Sequence, residues 1–461
     1  MFLRKYLSLI LVVSLTSCQL TKQADSLPPK PKNIILFIGD GMGPAYMKAY
    51  RLFKDDPKTA MVEKTLFDEM FVGILRTDPI GDHGSVTESA ASATAMATGV
   101  KTYEGAIAVD LNQKPLLTVL EDAKHKGLST GLIATSSISH ATPAAFASHQ
   151  NNRENEKTIV NQYVDNRFDD QPYVDILLGG GRSYFERKDR NITKEFEALG
   201  YQMVDNRKSL NSNRSPKLLG LFSDDGMAKM IDRDHTSPSL AEMTKAAIKQ
   251  LSKNDKGFFL MVEASQIDWA GHGQDIVGAM SEMQDLEAAV LVARAFADDP
   301  HNAENTQILI TADHSTGGLS VGSEVNGTEY YQWNADVIQK IQYTPEKIIK
   351  KALVSKDLIG EFSQATGFKL TAKERAHLES LHFNQFPKNG LNMSEQDYLE
   401  VEKIYYELCN IISDRSYTGW TTHGHTGEDV HVFAYGPASI QLQGNWENTR
   451  IGQVIFEWLK R

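Results

Sequence analysis

Cysteine and positive charge are both scarce in this 461-residue sequence. It contains only Cys18 and Cys409, and its 48 Lys and Arg residues against 59 Asp and Glu residues give a formal net charge of −11. Nucleic-acid-binding proteins normally present a basic face, so we expect no nucleic-acid partner. A phosphate-bearing small molecule is not excluded, because metal ions and one arginine can reverse the local field. Internal repeats and low-complexity tracts are also absent.

The first residues contain no apolar run long enough to span a bilayer. Arg4 and Lys5 precede an apolar run that ends at Leu15, which is typical of a signal peptide over residues 1–17. The next residue, Cys18, completes a lipobox-like Leu-Thr-Ser-Cys, so we expect a lipid anchor there; an ordinary signal peptide with an incidental cysteine is the alternative. Residues 18–32, rich in proline, then form a spacer.

This N-terminal pattern predicts an exported lipoprotein on the periplasmic face. Gln19, rather than aspartate, follows the cysteine, which in Gram-negative lipoproteins favours the outer membrane. If Cys18 is acylated, only Cys409 remains and an intrachain disulfide is excluded. The protein must then be stabilised by its core and its metals.

Short apolar segments alternate with helical patterns through most of the remaining chain. Because each segment ends in a polar or glycine-rich turn, they are typical of fully buried parallel strands. The helical pattern at 283–296 carries one apolar stripe. We therefore predict an α/β domain over 33–461, with a doubly wound, mostly parallel central sheet flanked by helices. The predicted strands are Asn33–Ile38, Thr130–Ala134, Val174–Leu178, Phe258–Val262 and Gln307–Thr311.

Residues 315–424 depart from this alternation and are predicted to be a helical insertion. Helices are expected over Thr344–Ser355, Ala372–Leu381 and Ser394–Ile412, the first after a Thr344 cap and the last after a capping-box-like Ser394-x-x-Asp397. Cys409 is expected to be a structural thiol. The role of the insertion is left open.

Ser89 is the candidate nucleophile. It opens an alanine-rich run closed by Gly99, which suits a helix with a glycine C-cap. At the first turn, unpaired backbone amides and the helix dipole favour an alkoxide and a bound phosphate. The alternative is an N-cap serine with no further role.

Acidic residues and histidines recur in four clusters around this serine. Carboxylates and imidazoles are ligands of Zn²⁺ and Mg²⁺, so the clusters can supply neighbouring metal sites for hydrolysing a phosphate ester. Asp268 and His272 lie one helical turn apart and can share a cation. Asp40, Glu263 and Asp313 follow predicted strands, whose carboxyl ends collect ligands. The remaining residues of the clusters are His314, His423 and His425.

From Asn33 to Arg461 the chain resembles the alkaline phosphatase family. The matching motifs, in family order, are IGDGMG, TESAASATAMATGVKTYEGAI, HATPAAFASH with NNR, VEASQID, TADH and HTGEDV with AYGP. The resemblance implies hydrolysis of phosphate monoesters through a phosphoserine on Ser89, with Arg153 gripping the phosphate. It also implies two Zn²⁺ and one Mg²⁺. A homodimer is compatible with the resemblance, but the sequence does not establish the oligomeric state.

The resemblance also assigns each metal ligand. The zinc that binds the nucleophile is expected on Asp40, Asp313 and His314. The zinc facing the leaving group is expected on Asp268, His272 and His425, with His423 as an alternative ligand to His425. The magnesium is expected on Asp40, Thr142 and Glu263. Thr142 has a second interpretation, as a helix N-cap before a proline.

Three residues depart from the family pattern or vary within it. Glu88 stands where many relatives have aspartate, and its extra methylene puts the orientation of Arg153 in question. His140 and Trp269 resemble a bacterial subset, and His140 leaves the identity of the third metal open. The rival hypotheses are a phosphodiesterase or sulfatase of the same superfamily, and a non-catalytic phosphate-binding lipoprotein.

Overall fold

A ten-stranded sheet forms the centre of the computed structural model, which describes residues 30–81, 84–325, 327–329, 331–387 and 393–460. The predicted signal peptide, Cys18 and most of the spacer lie outside these residues. Among the helices that are described, none combines the length and the apolar character that a membrane span requires.

Eighteen strands are assigned within the described residues, eight of them two-residue segments outside the main sheet. They are β1 (Asn33–Gly39), β2 (Phe71–Arg76), β3 (Ser129–Ser137), β4 (Arg167–Phe168), β5 (Gln171–Pro172), β6 (Ile176–Gly180), β7 (Gln202–Val204), β8 (Leu218–Leu221), β9 (Phe258–Ala264), β10 (Thr306–Ala312), β11 (Ser315–Thr316), β12 (Ser320–Val321), β13 (Glu324–Val325), β14 (Thr328–Glu329), β15 (Thr418–Gly419), β16 (His425–Thr426), β17 (Val430–Tyr435) and β18 (Gly444–Glu447).

The helices are distributed along the whole described chain. They are α1 (Pro44–Lys54), α2 (Leu66–Met70), α3 (Ser89–Thr98), α4 (Val119–His125), α5 (Ala141–Ala147), α6 (Glu156–Asp165), α7 (Arg182–Phe185), α8 (Ile192–Ala198), α9 (Arg207–Ser212), α10 (Leu240–Leu251), α11 (Gln266–His272), α12 (Ile276–Ala297), α13 (Ala335–Gln339), α14 (Pro345–Ser355), α15 (Leu358–Thr366), α16 (Ala372–Ser380), α17 (Glu395–Ser416) and α18 (Thr449–Leu459).

The main sheet has the order β18-β2-β17-β10-β1-β9-β3-β6-β8-β7. Only β17 runs antiparallel to its neighbours, so the predicted mostly parallel sheet is confirmed. Strands β1, β9 and β10 are buried along their whole length, as strands covered by helices on both faces must be. One helix group consists of α3, α4, α5 and α18, and another of α1, α10, α11 and α12.

Predicted and observed elements differ mainly at their ends. The strand expected over Val174–Leu178 is β6, which begins at Ile176 and continues through the glycines at its end. The helix expected to stop at Ile412 continues to Ser416, after the predicted Ser394–Asp397 capping box. Thr344 caps α14 as predicted, since its side chain accepts a hydrogen bond from the backbone amide of Lys347.

The region between His314 and His425 contains helices α13 to α17, which pack on one another and on α1 and α12. Its two ends meet in a short antiparallel ribbon, where β11 pairs with β16 and Thr316 lies opposite His425. Cys409 is buried in α17, as expected of a structural thiol.

Candidate active site

The carboxyl ends of three adjacent strands meet at one point of the sheet. In the parallel register, Gly39 pairs with Ala312 on one side and with Ala264 on the other. Asp40 and Asp313 are the next residues after two of these strands, and Glu263 is the penultimate residue of the third. All three carboxylates are fully buried. The sheet therefore brings together the acidic residues that the sequence placed at strand ends.

Ser89 lies at this edge, at the first residue of α3. Its Oγ atom is 3.2 Å from Nε2 of His314. The N-cap is Glu88 rather than Ser89, so the interpretation of Ser89 as a simple cap is wrong. Gly99 ends the helix in the left-handed conformation, as predicted.

Glu88 also changes the expected role of the helix start. Its carboxylate accepts hydrogen bonds from the backbone amides of Ala90 at 2.9 Å and Ala91 at 2.7 Å. Two amides that were expected to be open to a bound phosphate are therefore occupied by a side chain. Glutamate reaches them because it is long enough to turn back over the first turn.

The predicted ligands converge in overlapping groups. One ligand atom from each of Asp40, Asp313 and His314 lies within 4.8 Å of the others, and the same holds for Asp268, His314 and His425. The distances are 3.2 Å from His314 Nε2 to Asp313 Oδ2 and 3.5 Å to Asp40 Oδ1. The site is thus continuous around His314.

His272 completes the second group. Its Nε2 atom lies 3.3 Å from Asp268 Oδ2 and 3.3 Å from His425 Nε2, while His425 Nε2 lies 3.6 Å from Asp268 Oδ1. Close contact with His272 and the nearby charges of His314 and His425 lower the pKa of Asp268, although its burial acts in the opposite direction. A carboxylate that stays ionised among imidazoles is a suitable ligand for a cation.

Several oxygens of these groups have no hydrogen-bond partner among the described residues, although all are buried. They are Asp40 Oδ1 and Oδ2, Glu263 Oε1 and Oε2, Thr142 Oγ1 and Asp313 Oδ2. Burial and the nearby charges of Asp313 and Asp268 raise the pKa of Asp40 well above its usual value. Burial also raises the pKa of Glu263 to about 7. Unpaired buried carboxylates are costly, and a bound cation would compensate them.

Thr142 is the second residue of α5, not its cap. The helix begins at Ala141, after His140, and has no side-chain cap. The cap interpretation of Thr142 is therefore wrong, and its hydroxyl is free to contact a cation. His140 offers a nitrogen within 4.8 Å of oxygens of Asp40 and Glu263, so it lies beside the expected magnesium position.

Arg153 lies in a turn before α6 and is held from two sides. Its Nη1 donates to Glu88 Oε2 at 2.5 Å, and its Nη2 lies 2.9 Å from His140 Nε2. Because arginine only donates, His140 Nε2 must accept this bond. Burial, with the neighbouring Arg153 charge, lowers the pKa of His140 to about 3, so the ring is neutral. Arg153 is therefore not a solvated surface residue.

His423 contacts His272 through the backbone. Its carbonyl accepts a hydrogen bond from His272 Nδ1, and its own Nδ1 lies 3.0 Å from the His272 carbonyl. The first bond places the proton of His272 on Nδ1 and leaves Nε2 facing Asp268. His423 thus contacts His272 on the side away from Asp268, whereas His425 lies in the ligand group with Asp268.

Two residues near the site were missed in the sequence. The Thr316 hydroxyl donates to Asp268 Oδ1, and the Ser92 hydroxyl donates to the Asp313 carbonyl at 2.8 Å. Ser92 follows Ser89 by three residues, which places both on one helix face and was a readable signal. Thr316 gave no such signal, because its contact depends on the fold.

The turn after β1 requires glycine at position 41. Its φ of +71° lies in the left-handed region, and a Cβ atom there would lie 2.8 Å from the Asp268 Cα. Only glycine allows α11 to approach the turn after β1 this closely. The Gly41 amide also donates to Asp313 Oδ1 at 3.0 Å.

Comparisons with known proteins agree with this geometry. A family model described as alkaline phosphatase matches residues 31–461. Alkaline phosphatase 3 of Bacillus subtilis (strain 168) is 47% identical over 93% of this chain and 89% of its own length. A cold-active alkaline phosphatase from a psychrophilic Shewanella species superposes with a TM-score of 0.83 at 40% identity, covering 93% of this chain and 100% of that chain.

A third comparison concerns a metal-bound structure. A histidine-to-glutamate variant of the TAB5 alkaline phosphatase, with Mg bound in its M3 site, superposes with a TM-score of 0.66 at 26% identity. It covers 94% of this chain and 99% of that chain.

Proposed function

The chain belongs to the alkaline phosphatase family, and from this premise we propose which residues carry out its hydrolysis of phosphate monoesters. The observation that carries the assignment is the position of Ser89. Its hydroxyl lies 3.2 Å from His314, beside a group of buried carboxylates without hydrogen-bond partners among the described residues. Ser89 opens α3 directly after Glu88, the residue that pairs with Arg153.

Two steps follow from this placement. Ser89 Oγ attacks phosphorus, and the ester oxygen leaves with the electron pair of the broken P–O bond and takes up the proton that the Ser89 hydroxyl loses, so that the phosphate is carried by Ser89. Water then attacks the phosphoserine, which releases inorganic phosphate and restores the hydroxyl. Arg153 keeps further N–H donors beyond those used by Glu88 and His140, and these bind the non-bridging oxygens.

The ligand groups fit two zinc ions and one magnesium ion. Zinc accepts mixed carboxylate and imidazole ligands, which Asp40, Asp313 and His314 supply in one group. Magnesium prefers oxygen, which Asp40, Thr142 and Glu263 supply. The second zinc group consists of Asp268, His272 and His425. When bound, these ions would act as Lewis acids and compensate negative charge on the attacking and leaving oxygens.

His140 bears on the third metal. In the TAB5 relative, Mg is bound in the M3 site of a variant in which a histidine is replaced by glutamate. His140 lies beside Asp40 and Glu263 here, and its Nε2 accepts from Arg153. We propose magnesium for the wild-type chain because the three oxygen ligands are already present. Metal analysis of the Asp and Glu variants of His140 tests whether the imidazole shifts the preference towards zinc.

Replacement of Ser89 by alanine tests the nucleophile. We expect kcat for a monoester to fall roughly 10³-fold or more, because the residual rate depends on the metals and Arg153 alone. Acid-quenched wild-type protein should carry covalent phosphate, and the variant should carry none. Ser363→Ala, a helical serine of the insertion, is the control. Covalent phosphate retained by the Ser89 variant would assign the nucleophile elsewhere.

The rival functions are not favoured by the comparisons, and substrate preference tests them directly. We expect a monoester to be hydrolysed far faster than a matched diester, and a preference for the diester would contradict the assignment. We also propose export, with a lipid on Cys18. Mass spectrometry of the mature N-terminus tests the lipid, and sedimentation of the mature chain tests whether it forms the homodimer that the resemblance allows.

A further inference from the structure

An open cavity of about 980 Å³ lies between α11 and the insertion helices α14 and α17. Its size is at the upper end of the range for small-molecule sites. Aromatic and aliphatic side chains form most of its wall: Trp269, Ile349, Leu353, Tyr398, Leu399 and Tyr405. Tyr398 and Leu399 remain 59% and 47% exposed. Apolar side chains of this size, exposed together, indicate a surface that contacts a ligand or a partner.

The cavity is continuous with the candidate active site. Its wall includes Trp269 and His272, which lie on the same helix as Asp268. The Trp269 ring also meets His140 edge-on, with 6.1 Å between centroids. The cavity therefore begins at the ligand group of Asp268, His272 and His425, which the proposed function places beside the leaving oxygen.

Helix α17 is tightly attached at this end of the cavity. A Cβ atom added to Gly273 would lie 2.2 Å from the Tyr405 hydroxyl, so the helix packs directly on the end of α11. The Tyr406 ring lies 4.5 Å from the His423 ring, centroid to centroid, and His423 contacts His272. The wall is thus fixed relative to the ligands rather than being a separate surface.

The charges at the rim disfavour an anionic group. Three carboxylates line the cavity, those of Glu346, Glu395 and Glu402, against the single lysine Lys350. Glu346 is already paired, because Lys350 donates to it at 2.5 Å and the buried Lys229 at 3.2 Å. A leaving group with additional phosphates would meet net negative charge, whereas an uncharged ring would bury apolar surface.

We propose that this cavity binds the leaving group of the ester, and that it selects monoesters of uncharged aromatic alcohols. The proposal rests on the proposed function, since it requires the phosphate to lie at Ser89 and Arg153. An aromatic ring attached to the leaving oxygen would extend along Trp269 towards Tyr398 and Leu399.

The test compares two substrates in matched variants. For 2-naphthyl phosphate, we expect kcat/KM to fall about three- to ten-fold in Leu399→Ala and in Tyr398→Ala, because each loses apolar contact with the ring. Methyl phosphate is too small to reach these side chains, so its kcat/KM should stay within about two-fold. The control is Leu291→Ala, a helical leucine of α12 that is 50% exposed and lies outside the cavity.

A binding measurement separates this proposal from the proposed function. The alcohol 2-naphthol should bind the metal-loaded wild type in calorimetry and bind both variants more weakly. If methyl phosphate is not hydrolysed at all, the proposed function fails. If both substrates are hydrolysed and the variants change them equally, the cavity proposal is overturned while the function stands. Variants that change only the sedimenting mass would show that a second copy covers this face, which also overturns it.

Discussion

Replacement of Glu88 tests the link between Arg153 and helix α3, which carries the proposed nucleophile Ser89. The carboxylate accepts from the amides of Ala90, Ala91 and Gly105, the last at 2.9 Å, and pairs with Arg153. Burial alone would raise the pKa of Glu88, but Arg153 and the three amides hold it below its usual value. One side chain therefore caps α3, fixes the loop at Gly105 and orients Arg153, the residue that we propose binds the phosphate.

The cost of Glu88→Ala follows from these contacts. Loss of an N-cap costs about 1 kcal/mol. The Gly105 amide and the largely buried Arg153 then lose their acceptor, at about 1–3 kcal/mol for each group left unsatisfied. Together these contributions give an expected fall in the free energy of unfolding of about 3–7 kcal/mol. In Glu88→Gln, the amide oxygen still accepts but the charge is lost, so we expect a loss of about 1–2 kcal/mol.

The two variants should also separate stability from function. Glu88→Gln should raise KM and the inhibition constant of inorganic phosphate about five- to ten-fold, because Arg153 is less firmly oriented, while kcat changes less. Urea unfolding and phosphate inhibition are the assays. Glu195→Ala is the control, since it breaks the surface pair with Arg190 and should cost at most about 1 kcal/mol. If Glu88→Ala costs no more than this control and leaves phosphate inhibition unchanged, Glu88 does not hold Arg153 in place.

Three further predictions concern metals, a buried ion cluster and pH. Chelation should abolish activity and lower the unfolding temperature, with recovery by zinc plus magnesium; activity that resists EDTA would contradict the ligand assignment. Arg233→Ala should destabilise the protein by about 3–5 kcal/mol in urea unfolding, because it leaves the buried carboxylates of Glu282 and Asp285 uncompensated; a loss below about 1 kcal/mol would contradict this. Burial acts to lower the pKa of His149, but the hydrogen bond to Glu121 outweighs it and raises this pKa above its usual value. The pair therefore stabilises the fold fully below about pH 6.5, the pKa of the unfolded state, and this stabilisation is lost as pH rises through the raised pKa. His149→Gln should remove that part of the pH dependence of unfolding, and an unchanged profile would refute the assignment.

The sheet and its edge of carboxylates could be predicted because their signals are local. A buried parallel strand reads as an apolar run, and an acidic residue after each run predicts Asp40, Glu263 and Asp313 at one edge. The Asp268–His272 pair was readable from helical spacing alone. These residues needed no knowledge of long-range contacts.

The missed contacts depend on residues far apart in the chain. The two-residue strand holding His425 has no periodicity, and its pairing with the segment after His314 is set by the tertiary fold. The turn of Glu88 over the helix start was missed because glutamate is an uncommon N-cap. Thr316 reaches Asp268 only through the ribbon.

The ribbon between β11 and β16 closes the chain from Thr316 to His425 into one large loop, because it pairs the two ends of that segment. Next to this ribbon, the Gly317 amide donates a hydrogen bond to the Gly424 carbonyl at 2.9 Å. Because the closure cost of a loop grows only slowly with its length, by about 0.6 kcal/mol for each doubling, a change in the length of this segment adds little closure cost. The cluster of ligand residues around His425 can therefore keep its geometry while the helical segment between the paired ends changes in length.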